Sequence, residues 1–227
     1  MSELSSTAPK PPRVKAPRVK RTRDSVKTKA EILVAGRAEF AERGFEGARV
    51  DAIAALAGAN KRLLYHYYGN KEELYRAVLL DAYQEIRRGE RALSLDQFGP
   101  VEAMDRLVRF TFRHFLANPW FPRLLNTENI ENARFLKTMP DIQALHSPLV
   151  GQITTIVERG AELGVFRRDV DPVQLYISIA ALGFFYVSNM ATLSVIFARD
   201  LSGIDMVQER EAQAVQMVLD YLRTKPA

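Results

Sequence analysis

Cysteine is absent from all 227 residues. That excludes a disulfide framework, a thiolate metal site and a cysteine nucleophile. Histidine is scarce. His66, His114 and His146 lie far apart, and none stands at a zinc spacing such as HExxH. No metal and no cofactor is therefore expected. No segment alternates apolar and polar residues in the way a half-buried strand requires. The opening "MSELSSTAPK" has no apolar core of a secretory signal, so the expected location is the cytoplasm. Between residues 52 and 70 there is no acidic side chain.

The charge that is present is lopsided. Residues 1–29 hold nine Lys or Arg against Glu3 and Asp24, a net of +7, so the rest of the chain carries −2 of the total +5. Residues 1–24 read as a disordered basic tail, rich in Pro, Ser, Lys and Arg, with "PRVK" at 12–15 and again at 17–20. Such an arm can lie along phosphates or in a minor groove, or serve only as a solubilising segment.

The remainder reads as helices, and 47% apolar composition can bury a sizeable core. "TKAE" has the form of a capping box, with Thr28 at the N-cap, and Gly44 ends the first helix. Val50, Ile53, Ala54 and Ala57 form the stripe of a second, short helix, and Gly58 turns the chain. A third helix spans about Asn60 to Tyr67, and a fourth starts at Asn70 with Leu74, Val78, Ala82 and Ile86 on one face. The second and third, joined through a Gly turn, have the helix-turn-helix pattern. Further starts are marked by Pro100, "MPD" at 139–141, Ser147–Pro148 and Asp171–Pro172. A last helix covers 206–222.

No charge interrupts residues 172–198, which is long enough for a membrane span. Gln174, Asn189 and several Ser and Thr argue instead for a helix shared between a core and a partner subunit. No membrane partner is expected.

"ANKRLLYHYYGNK" at 59–71 carries the functional signal. Leu63, Leu64 and Tyr67 can pack inward, which leaves Lys61, Arg62, Tyr65 and His66 outward, on a face expected to lack acids. Cationic side chains neutralise phosphates, Arg can fork onto a guanine edge, and Tyr hydroxyls fix register. Asn60 opens the helix. Lys71 stands at the start of the fourth helix, where free amides favour an anion. The partner expected from these residues is double-stranded DNA.

The stretch "AEFAERGFEGARVDAIAALAGANKRLLYHYYGNKEELYRAVL" resembles the DNA-binding domain of TetR/AcrR-type transcriptional repressors. The resemblance is carried by Gly44–Phe45, Val50–Ala54, Ala57–Lys61, Leu64–Tyr68 and Lys71–Leu74. It implies an all-α protein. Its three-helix helix-turn-helix domain would occupy 25–75, and a larger helical ligand-binding and dimerisation domain 76–227. It implies a homodimer on a palindromic operator, released by a small-molecule effector. Two departures stand out. Ala48 and Arg49 replace the usual hydroxyl at the entrance to helix two, where Arg49 can take over the phosphate contact. Arg62 and Leu63 replace small residues of the reading helix.

Effector contacts are expected from polar or aromatic groups on apolar helices: His114, Trp120, Phe121, Asn126, Phe184, Phe185 and Asn189. Each can equally be ordinary core. Two rival readings complete the set. One is a nonspecific, architectural DNA-binding protein driven by the basic tail. The other is a helical enzyme built on Asp141, His146 and His114, for which the five-residue Asp–His spacing suits a helix poorly.

Overall fold

The structure, a computed structural model, describes the backbone of residues 19–140 and 142–224, with side chains from residue 25 onward. The tail through residue 18, with most of the PRVK repeat, lies outside the described residues, as does Asp141. The described elements are α1 (Val19–Gly47), α2 (Val50–Leu56), α3 (Lys61–Tyr68), α4 (Lys71–Ala92) and α5 (Pro100–Ala117). They continue with α6 (Trp120–Ile130), α7 (Ile142–Glu162), α8 (Pro172–Ile196) and α9 (Ile204–Leu222). Among the described residues there is no strand beyond one isolated bridge, Phe166 to Arg223. The fold is all-α, as expected.

Side chains close several helix starts. Asn60 Oδ1 accepts from Leu63 N at 2.9 Å, and Asn70 Oδ1 accepts from Glu73 N at 2.8 Å. Asp171 Oδ1 accepts from Val173 N and Gln174 N, and Pro172 follows at the first helical position. Each bond satisfies an amide that the helix itself cannot.

Three expected boundaries move. Helix α1 is already formed at Val19, so Thr28 lies inside it and residues 19–24 are helical rather than disordered. No Pro or Gly stands between 19 and 28 to stop it. Gly44 bends α1 rather than ending it. Its φ of 66° is one that a side chain would resist, and the helical turn resumes through Gly47. Ser147 and Pro148 do not start α7. That helix runs from Ile142, and the Ser147 hydroxyl donates back to Gln143 O at 3.1 Å. Pro148 removes only the bond to Ala144, which is exposed and can be solvated.

Two apolar cores organise the chain. The first gathers Ile32, Phe40, Phe45, Ile53, Leu64, Leu74 and Tyr75 of the N-terminal helices. It also takes in Phe115, Phe121, Leu124 and Phe135 from beyond residue 76. Phe45 and Phe135 have ring centroids 4.4 Å apart, and Tyr75 sits 4.7 Å from Phe135. The boundary drawn at 75 is thus no break in packing, and α4 runs straight through it. The second core joins α5, α7, α8 and α9 through Met104, Leu107, Ile153, Ile179 and Val218. Gly183 lets α8 lie close on α5. A Cβ there would be 3.1 Å from Phe115 and 3.3 Å from the Phe112 backbone.

By length and composition α8 could cross a membrane. It instead turns Leu175, Ile179, Gly183 and Tyr186 into the core. Its other face leaves Val173, Ile177, Phe185, Val195 and Ile196 exposed, beside exposed Met217 and Tyr221 of α9.

Candidate nucleic-acid interface and helix-lined pocket

Helix α3 is held by its apolar side. Leu64 is fully buried, Leu63 and Tyr67 are half-buried, and the Tyr68 hydroxyl donates to Lys29 O of α1 at 2.8 Å. Burial, with Asp81 nearby, pushes the Tyr68 hydroxyl up to about 12, so it stays protonated. Gly58, at φ 58°, makes the turn from α2. Lys61, Arg62, Tyr65 and His66 are left exposed on the outer face, as the spacing predicted, with Tyr65 at 41%. Asn60 is occupied as the cap of α3, so it positions the helix.

The face is not free of acids. Asp51, just outside the acid-free window, lies with Oδ1 3.1 Å from Lys61 Nζ. It stands in the first turn of α2, and its contact with Lys61 puts the two on the same side of the motif. Arg49 caps α2 without a side-chain bond; its amide donates to Glu39 Oε1 at 3.1 Å, and its side chain is exposed. Lys71 is only half-exposed. Its Nζ sits 4.7 Å over the Phe45 ring and 3.3 Å from Glu46 O, tying α4 to the bend of α1. Glu72 and Glu73 already complement the helix dipole beside it.

A second feature lies in the larger half. Helices α4 to α8 line an open pocket of about 360 Å³, whose exposed lining residues Asn129, Ile177 and Ala181 mark its mouth. Of the candidate effector contacts, Phe121 and Phe184 line it, beside Phe115. His114 does not; it packs behind Phe121, with ring centroids 5.4 Å apart. Burial and the nearby Arg87 charge depress His114 to about 4, so it is neutral. Trp120 is covered by the Arg37 guanidinium at 4.2 Å. Asn126 faces a different cleft, between α6 and α8, of about 510 Å³. Phe185 points outward. Asn189 is not buried, and its amide donates to Phe185 O one turn back at 2.8 Å, which removes the reason to suspect it.

The lining residues that periodicity did not single out include Tyr83, Arg87, His146 and Tyr176. His146 Nδ1 is 2.8 Å from Ile142 O, and burial keeps its pKa low, so it is neutral with Nε2 bare. Among the described residues no group of three His, Asp or Glu could hold a metal ion.

The two halves match two families of known sequence. Residues 32–78 match bacterial regulatory proteins of the tetR family, and residues 100–218 match the tetracyclin repressor-like C-terminal domain. The HTH-type transcriptional repressor NicS of Pseudomonas putida is 36% identical over 189 residues, which cover 83% of this chain and 86% of that protein. The HTH-type transcriptional repressor SCO4008 of Streptomyces coelicolor is 31% identical over 87% of this chain and 98% of its own. A TetR family transcription regulator from Marinobacter aquaeolei superposes with a TM-score of 0.69 over 90% of this chain and 100% of its own. At 23% identity that likeness speaks for the fold.

Proposed function

The chain belongs to the TetR family of bacterial regulatory proteins, and from that premise we propose a homodimeric, effector-released repressor that reads a palindromic operator through α3. The observation that carries the proposal is the outer face of α3, where Lys61, Arg62, Tyr65 and His66 are all exposed over a buried Leu64. Lys61 and Tyr65 meet phosphates. Arg62, at the start of the helix, reaches base edges. Arg49 adds a phosphate contact from the entrance to α2. Lys71 braces the motif from behind and adds charge at its edge.

The exposed apolar face of α8 and α9 supports the dimer. Phe185, Met217 and Tyr221 are exposed along a groove of about 560 Å³ between the two helices. A second copy would cover it and bring two α3 helices to successive major-groove half-sites. The cavity between α4 and α8 is the effector site. Helix α6 connects it to the reading head: Phe121, Leu125 and Asn129 face the cavity, while Arg123 bonds Glu42 of α1 at 2.8 Å. An effector releases DNA only by preferring one head arrangement over the other. Such a protein works where the chromosome is, in the cytoplasm, and carries no catalytic role.

The test is operator selection from random duplexes, followed by gel shift. Lys61→Ala/Arg62→Ala should lose specific retention. Normal binding by the double variant, or by no palindrome at all, would defeat the assignment of α3.

A further inference from the structure

Arg87 in the pocket wall belongs to a charge pair, with Glu90 behind it, whose hydrogen bonds are incomplete. Arg87 of α4 is 3% exposed and cannot lose its proton in a protein. Its Nη2 donates to the Tyr176 hydroxyl of α8 at 2.8 Å. Its Nη1 lies 3.0 Å from Glu90 Oε2, yet the two do not form a directed hydrogen bond. Nε and Nη1 of Arg87 and both carboxylate oxygens of Glu90 are buried and without hydrogen-bond partners. Leaving such groups unpaired is costly, and a core that needed only to be filled would be better served by apolar side chains. Arg87 lines the largely aromatic and aliphatic pocket, and the unmatched atoms lie just beneath its surface, closed to water until a ligand or side chain shifts.

We propose that this cavity selects a small aromatic carboxylate, with its carboxylate on the Arg87 guanidinium and its ring among Phe115, Phe121 and Phe184, and that Glu90 takes up a proton as the ligand enters. This rests on the reading of the cavity as the effector site. A guanidinium matches a carboxylate fork to fork, which a neutral amide cannot reproduce. The Tyr176 oxygen already accepts from Arg87, so its O–H is free to donate to the second ligand oxygen. The volume of about 360 Å³ lies at the small end of ligand pockets, which suits a single-ring ligand.

Charge balance supplies the second half of the proposal. Arg87 and Glu90 are neutral together, and an arriving carboxylate would leave one excess negative charge in a buried site. Protonating Glu90 removes it. The carboxyl is prepared for this, because burial pushes it up to about 7 against the pull of Arg87 and Arg91. The other groups near the pair do not compete for the proton. His114 of α5 and His146 of α7 are held low by burial and by Arg87, and Tyr83 and Tyr176 are held high by burial. The bound anion raises Glu90 further. Affinity therefore falls as pH rises above about 7.

The experiment uses the full chain and matched probes: benzoate, phenylacetate and cinnamate, each against its primary amide. Thermal shift and titration calorimetry read binding. At least one carboxylate should stabilise the protein and its amide should not. Arg87→Met/Glu90→Met removes both charges while keeping volume, so it folds; carboxylate affinity should drop about tenfold to a hundredfold, the worth of a charged hydrogen bond. At pH 8, titrations in buffers of different ionisation enthalpy should show uptake of about one proton per site. Glu90→Gln should bind tighter and take up none. Amides that bind as well as carboxylates, to wild type and double variant alike, overturn the anion but keep the cavity as a neutral effector's site. Carboxylate binding without proton uptake overturns the role of Glu90. No binding of either class overturns the inference together with the effector cavity, while the gel shift tests DNA reading separately.

Discussion

Asp51 of α2 and Lys61 of α3 are paired across the helix-turn-helix, with Oδ1 3.1 Å from Nζ. The pair therefore sits on the side of the motif that the proposal turns toward DNA. Both side chains are about half exposed, so their mutual stabilisation is about 0–1 kcal/mol. Phosphates can draw Lys61 away at little cost, but Asp51 then stands unneutralised beside them. Asp51→Asn should raise DNA affinity by about twofold to tenfold, mostly without regard to sequence, and leave the melting temperature nearly unchanged. Fluorescence anisotropy over a salt series measures this. Affinity that is unmoved by Asp51→Asn would place the acid outside the phosphate field.

Phe185 is 57% exposed in the single chain. Phe185→Glu should leave the helical circular dichroism intact and shift the protein from dimer to monomer in light scattering. Operator affinity should fall with it, because two half-sites are no longer held together. A variant that stays dimeric would move the interface off this face of α8.

Gly183 is where α8 approaches α5 most tightly. A larger residue meets Phe115 and the Phe112 backbone, neither of which can retreat easily. Gly183→Val should cost about 1–3 kcal/mol through overpacking, a drop of roughly 2–10 °C in melting temperature. Scanning calorimetry on both proteins at one concentration decides it.

Glu211 of α9 accepts from Arg109 at 2.9 Å and from Arg113 at 2.8 and 3.0 Å, fastening α9 to α5. Burial works against its charge, but the two guanidinium groups outweigh burial and hold its pKa below 4.5. A depressed carboxylate stabilises the fold above its unfolded pKa and loses that contribution as pH falls through the folded one. Wild type should therefore lose stability below about pH 4.5, and Glu211→Gln should be less sensitive there. At neutral pH the substitution should cost about 1–3 kcal/mol. Denaturant melts at pH 7 and pH 4 give both numbers.

The reading face was legible because it obeys one local rule. Leu64 must point in, so Lys61, Arg62 and Tyr65 must point out, whatever the rest of the chain does. The Asn70 and Asp171 caps were legible for the same reason. Ser147–Pro148 carried an equally good start signal, yet α7 runs from Ile142, and an exposed carbonyl made the proline cheap. The cavity was harder, since its walls come from five helices whose mutual rotation no local pattern states. Aromatic content found Phe121 and Phe184 there but also Phe185, one position on and facing out. Arg87 and Glu90 left a trace that can be read in retrospect. The stripe Leu74, Val78, Ala82, Ile86 reaches Glu90 at its next step, and a carboxylate on a buried stripe asks for a partner.

The ring contact of Phe45 with Phe135 has a practical meaning for anyone hoping to rewire this protein. Phe135 comes from the segment after α6, so a splice at residue 75 would strip the N-terminal helices of part of their own interior. Swapping specificities between relatives should succeed when the junction falls beyond residue 140, and a fragment cut shorter should emerge insoluble or half-formed.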